Sequence, residues 1–237
     1  MPKSGDYTQP TRRPPTQSRA EESRANILDA ARRLFAKNGF EGTNVREIAQ
    51  QAGVTHTLIR YHFGSKEKLW KDVVTDMYRR LDQEISGDSI GRIDYSTVDG
   101  TREFFRRYVR YCAHNPEQIR IMIHESMVGG ERLDWMVSYI LKSHKTLAPF
   151  MRQQMKRGEV PEVFLVSWFY AVSSLCQLPF ALSSTIKRLY GVDMTSDAAI
   201  DAHIDAVLAI FLRDPPESKA RWPELPDWTK GPPTREK

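Results

Sequence analysis

The sequence predicts an all-α fold on three observations. Apolar residues recur at helical spacings of three and four through most of the chain, and start and stop signals bracket those runs. No stretch alternates apolar and polar residues as a half-buried strand does. At 237 residues and 40% hydrophobic composition there is material for one or two packed cores, and 27% charged residues excludes wholesale disorder. Cys112 and Cys176 lie far apart with no CxxC pair, which argues against a disulfide scaffold or a cysteine-rich zinc site and fits a reducing cytoplasm.

The elements follow in order. Over 18–38, Ile27, Leu28, Ala31, Leu34 and Phe35 form one apolar stripe, with Ser18 and Glu21 as a capping box and Gly39 as a left-handed stop. Asn44, with Glu47 three residues on, opens a short helix carrying Ile48, Ala49 and Ala52, and Gly53 closes it. Thr55 caps a third helix with Ile59, His62 and Phe63 on its inner face and Gly64 at its end. Ser65 caps a fourth, running to about residue 85, with Leu69, Trp70, Val73 and Met77 inward. Residues 86–100, rich in Gly, Ser and Asp, read as a loop. Helices are then expected over 101–114, over 116–127 with Asn115 as cap and Pro116 in the first turn, and over 132–157. Two more are expected, over 162–189 with a kink at Pro179 and over 196–213, making about nine.

Two ends stand apart. Residues 1–17 have no apolar core, so they read as a disordered basic arm and not as a secretory signal. Residues 214–237 hold six prolines and read as a disordered tail. The uncharged run 163–186 is long enough for a bilayer, but its serines, Gln177, Thr185 and Pro179 argue against a membrane span.

Charge points to a partner. Residues 1–75 hold 13 Lys+Arg against 8 Asp+Glu, whereas 76–237 hold 22 of each, so the whole net charge of +5 sits in the first third. A basic end on a neutral body suits a module that faces a polyanion, although a solvated basic surface has the same arithmetic. The second and third helices, joined by a turn holding Gly53, have the lengths and turn chemistry of a helix-turn-helix. On the third, Thr57, Arg60 and Tyr61 point away from Ile59 and Phe63, with His56 at the margin. Arg60 can fork onto guanine, His56 and Thr57 suit base edges, Leu58 suits a thymine methyl and Tyr61 suits a phosphate. Arg46, in the first turn of the second helix, is placed for the groove edge. The N-termini at Asn44, Thr55 and Ser65 favour anions, and Lys66 adds a full charge at the last.

The run GFEGTNVREIAQQAGVTHTLIRYHFGSKEKLW, residues 39–70, resembles without gaps the DNA-binding segment of TetR-family transcriptional regulators. It carries the family's Gly-Val-Thr turn as Gly53-Val54-Thr55, its aromatic-His-Phe end as Tyr61-His62-Phe63, and the Lys that opens the fourth helix as Lys66. The resemblance implies a nine-helix, dimeric, ligand-responsive repressor, with the first three helices on double-stranded operator DNA and the rest binding a small-molecule effector. It implies base contacts from Arg46, His56, Thr57 and Arg60, and phosphate contacts from Thr55, Leu58, Tyr61 and Lys66. Arg60 replaces the family's usual tyrosine, and Leu58 stands where a hydroxyl residue is common.

The expected domains are therefore 18–72 for DNA and 73–213 for effector binding and dimerisation, with the fourth helix as the lever between them. Phe164, Trp168, Val172, Leu175 and Leu182 line one face of the eighth helix, and Ile200, Ile204, Val207, Leu208 and Phe211 line the ninth. An uncharged helix that long is hard to bury in a body of this size, so these ten residues are expected to form a four-helix homodimer interface. Tyr108, Met122, His124, Met127, Trp135, Met136 and Phe169 are the pocket candidates, since effector sites are mostly apolar with a few polar anchors. His124 beside Glu125 invites a catalytic or metal role, but no second His stands at i+3 or i+4 and no nucleophile motif accompanies it. The expectation is no enzyme, no metal and no cofactor. The rival to a ligand-responsive repressor is a nonspecific or architectural DNA binder acting through phosphates alone.

Overall fold

The structure is a computed structural model and describes residues 15–86, 92–160 and 162–213. Ten helices and no strand occur among the described residues: α1 (Pro15–Asn38), α2 (Val45–Ala52), α3 (His56–Phe63), α4 (Lys66–Ser86), α5 (Val98–His114), α6 (Glu117–Val128), α7 (Glu131–Lys156), α8 (Leu165–Ala181), α9 (Ser183–Tyr190) and α10 (Asp197–Leu212). The chain divides into two compact units, Met1–Val73 and Val74–Lys237. Residues 1–14 of the expected arm, 87–91 of the expected loop and the expected tail 214–237 lie outside the described residues.

In the first unit α1 begins at Pro15, a residue whose missing N–H costs nothing in a first turn, so Ser18, expected at the start, lies inside the helix. Ile27, Ala30, Ala31, Leu34 and Phe35 are buried with Ile48 of α2, Ile59 and Phe63 of α3, and Leu69 and Trp70 of α4. Buried Thr43 closes the α1–α2 turn by donating its hydroxyl to Gly39 O at 2.7 Å. The short helices start where side chains accept the free N–H groups of a first turn. Asn44 accepts from Arg46 N, Thr55 from Leu58 N, and Ser65 from Lys68 N. Gly53 ends α2 at φ 67°, a left-handed conformation that a side chain would strain. The Arg24 guanidinium lies 5.3 Å from the Phe63 ring centre and pairs with Asp72 at 3.1 Å, tying α1 to α3 and α4.

The second unit is built around α5, which packs against α8 and α10. Phe105 and Val109 of α5 are fully buried with Cys176 of α8 and Val207 of α10, and the Phe105 ring stacks on Phe211 at 5.1 Å. The helix starts at Val98, earlier than expected, because Thr97 Oγ1 accepts Gly100 N at 3.0 Å. Gly100 is dictated by crowding: a Cβ there would fall 1.8 Å from Asp94 O. Fully buried Gln154 of α7 donates to Tyr95 O and Thr97 O at 3.0 and 3.2 Å, fastening the segment that leads into α5. Asn115 does not cap α6; its amide donates back to Tyr111 O and closes α5, and Pro116 takes the cap position without a side-chain bond.

The helix expected over 162–189 is two helices, α8 and α9, bent by 70° at Leu182. Pro179 has no N–H for Leu175 O, and His203 of α10 donates Nε2–H to that carbonyl at 2.9 Å. Arg120 of α6 donates to Ala181 O at 2.7 Å, taking a carbonyl that a continuing helix would use. Among the described residues no single helix is long and apolar enough to cross a membrane; α8 and α9 reach that measure only as the bent pair.

The expected dimer stripe needs correction. Trp168 and Val172 of α8, and Ile200, Ile204, Val207, Leu208 and Phe211 of α10, are buried in this unit's own core, while Leu175 is partly buried and Phe164 and Leu182 are exposed. Helical periodicity shows which face must leave water but not what covers it, and here α5 covers it.

Candidate nucleic-acid interface

The α2–Gly53-Val54-Thr55–α3 segment anchors itself by one side and leaves the other in water. Ile48 and Ala49 of α2 and Ile59 and Phe63 of α3 are buried, so the period of the helix turns His56, Thr57, Arg60 and Tyr61 outward. All four are exposed, Tyr61 to 81%. Thr55 is exposed too, and its hydroxyl is within 3.4 Å of both Leu58 N and the Thr57 hydroxyl. Arg46 is exposed in the first turn of α2.

Many of the unit's cations are spent internally. Asp29 holds Arg32 and Arg33, Asp72 holds Arg24, and Glu67 holds Lys71. Arg46 and Arg60 make no side-chain ion pair among the described residues, which leaves two guanidinium groups on the α2–α3 surface for an anionic partner. Lys66 is placed differently from the sequence expectation: it is half-buried with Nζ 4.4 Å from the Phe40 ring centre, a cation–π contact that competes with phosphate. Leu58 is half-buried and offers no polar group to a phosphate.

The pocket candidates differ in burial. Tyr108, Met136 and Phe169 are buried, Met122, His124 and Trp135 are half-buried, and Met127 is 72% exposed at the end of α6, away from any interior. Trp135 packs edge-on against Tyr139, which stacks on Tyr78 of α4 at 5.1 Å. Glu125 is buried and paired with Arg132 Nε at 3.0 Å, so its carboxylate is already engaged. Sequence reasoning passed over Gln177, whose Nε2 donates to Tyr108 OH at 2.8 Å in the core, and His144, whose ring stacks on Phe169 with centres 3.9 Å apart. The signal for Gln177 was present: it stands at i+8 from Phe169, a polar residue in an apolar run.

A three-helix N-terminal unit with a solvent-facing α3, followed by a larger all-helical unit, defines a helix-turn-helix regulator with a separate C-terminal domain. Residues 27–73 match the family model for bacterial regulatory proteins of the tetR family, and residues 98–210 match the tetracyclin repressor-like C-terminal domain. The chain belongs to the TetR family of transcriptional regulators. It is 27% identical over 187 residues to the HTH-type transcriptional repressor NicS of Pseudomonas putida, covering 76% of this chain and 86% of the relative. It is 28% identical to the HTH-type transcriptional regulator UidR of Escherichia coli, covering 61% of this chain and 72% of that one. The fold is shared with the structure of AibR in complex with isovaleryl coenzyme A and operator DNA, at TM-score 0.64 and 16% identity over 80% of this chain and 98% of that one.

Proposed function

We propose that the protein is a homodimeric repressor that reads a pseudo-palindromic operator with α3 and releases it when a small molecule occupies the second unit. The observation that carries this reading is the exposed outer side of α3, with Thr57 and Arg60 exposed among the described residues while Ile59 and Phe63 anchor the helix. Arg46, His56, Thr57 and Arg60 contact bases, with Arg60 forking onto guanine, and Thr55 and Tyr61 contact phosphate. Lys66 reaches phosphate only by leaving the Phe40 ring.

Two such helices, related by a two-fold, enter successive major grooves about 34 Å apart. The partner face consists of what the core leaves uncovered on α8 and α10: Phe164, Val166, Tyr170 and Ile210 are all more than half exposed. α4, whose residues fall partly in each unit, is the covalent link through which effector occupancy is felt. The coupling is reciprocal, so the factor by which effector weakens operator binding equals the factor by which operator weakens effector binding. Support comes from NicS, named a repressor, and from AibR, whose structure holds both an acyl-coenzyme A and operator DNA.

Operator selection from a random duplex pool, followed by gel shift of Arg60→Ala at fixed salt, tests the reading. The variant is expected to lose about 1–3 kcal/mol of operator affinity and to relax base preference at one position of each half-site. Unchanged binding would overturn the readout assignment. Equal affinity for matched and scrambled duplexes would identify a binder that acts through phosphates alone.

A further inference from the structure

A line of aromatic and polar groups runs along α8 in the second unit. Phe169, Ser173 and Gln177 recur every fourth residue on α8 and so share one face, spanning about 12 Å of helix. At one end the His144 ring of α7 lies nearly parallel to Phe169, 11° between planes and 3.9 Å between centres, held by no hydrogen bond among the described residues. At the other end Gln177 donates to Tyr108 OH at 2.8 Å. Phe104 stacks on Tyr108 at 5.4 Å and continues the aromatic wall. One residue along from Phe169, the indole N–H of Trp168 is buried with no acceptor among the described residues.

Two features of this line define the chemistry it accepts. Its rings are held in parallel stacks, and His144, half-buried on the outer side, occupies the position of a flat ligand. Its polar groups are all neutral: a phenol, an amide, a hydroxyl, an indole and an imidazole. Burial pushes the Tyr108 phenol up and the His144 imidazole down. A carboxylate or phosphate entering here would lose its water without gaining a counter-charge.

We infer that the Phe169–Ser173–Gln177 face of α8, with Tyr108 of α5 and His144 of α7, binds an uncharged planar aromatic effector bearing a hydrogen-bonding group. The ligand displaces the His144 ring and stacks on Phe169, and its polar edge pairs with the Gln177, Ser173 and Tyr108 groups. The role as effector rests on the proposed regulator function, whereas the binding itself does not.

The test uses the full-length protein and two probes of one shape, 2-naphthamide and 2-naphthoate, titrated by calorimetry at neutral pH. The amide is expected to bind and the carboxylate to bind at least about tenfold more weakly. His144→Ala, which removes the ring that must be displaced, is expected to tighten the amide about threefold or more. Gln177→Leu is expected to weaken it by about tenfold, with Ser173→Ala in the same direction and thermal unfolding reporting that each variant is folded. Carboxylate binding as tight as the amide, no binding of either probe, or an unchanged amide affinity in His144→Ala would each overturn the proposal. Amide binding that leaves affinity for the selected operator unchanged would overturn the effector role. Failure of operator selection would instead strike the regulator reading, whatever the calorimetry shows.

Discussion

A single side chain on α3 shows how local chemistry becomes available for function. Arg60 has no carboxylate partner among the described residues and lies opposite the buried Ile59–Phe63 side, whereas Lys66, six residues on, rests on the Phe40 ring. Both cations were legible as candidates, but which was free was not, because Phe40 belongs to the α1–α2 turn and meets Lys66 only after folding. His203 carries a second residue-scale consequence. Burial, opposed by its bond to Leu175 O, holds its imidazole below the ordinary value. The unfolded chain therefore takes up a proton first as pH falls, near about 6.5, and stability is lost between that pH and the lower folded value. His144, also shifted down by burial, adds in the same direction. Urea unfolding at pH 7.5 and pH 5.5 should show lower stability in acid, and His203→Gln should flatten the difference. An unchanged wild-type midpoint between the two pH values would contradict this.

At the scale of elements, start signals read best. Asn44, Thr55, Ser65 and Ser196 each accept an N–H of the helix they open, since a cap is a bond between residues two or three apart and is written locally. A kink at Pro179 was legible, but the full break at Leu182 was not, because it depends on partners far along the chain: His203 serves the carbonyl that Pro179 orphans, and Arg120 takes Ala181 O. The two residues should therefore be energetically coupled. His203→Ala, which leaves Leu175 O without its donor, is expected to cost about 1–3 kcal/mol, and less in a Pro179→Ala background where residue 179 regains an N–H. A double-mutant cycle by chemical denaturation measures the difference, and strict additivity would show that the two contacts act independently.

At the scale of the whole molecule, the apolar surface left on the second unit should decide assembly. Tyr170 and Ile210 are 65% and 60% exposed on α8 and α10, outside the core that absorbed Trp168, Val172 and Phe211. Tyr170→Glu with Ile210→Glu is expected to convert a dimer to a monomer in sedimentation equilibrium and, with the second half-site lost, to weaken operator binding by more than about tenfold. The corresponding change at Met127 and Val128, exposed on α6, should leave assembly intact. A dimer that survives the first pair would move the two-fold to another face.

The sequence by itself determined that the protein is helical, where its short N-terminal helices begin and end, and which side of α3 faces water. Those outcomes rest on caps, glycine conformations and periodicity, all interactions between residues a few positions apart. Only the tertiary structure decided that α5 rather than a second subunit covers the Trp168–Val172 and Ile200–Phe211 faces, that the kink expected at Pro179 becomes a 70° break between two helices, and that Gln177 meets Tyr108. The physical reason is that the drive to leave water has no direction: it marks a face for burial, and the neighbour is chosen only when the whole chain packs.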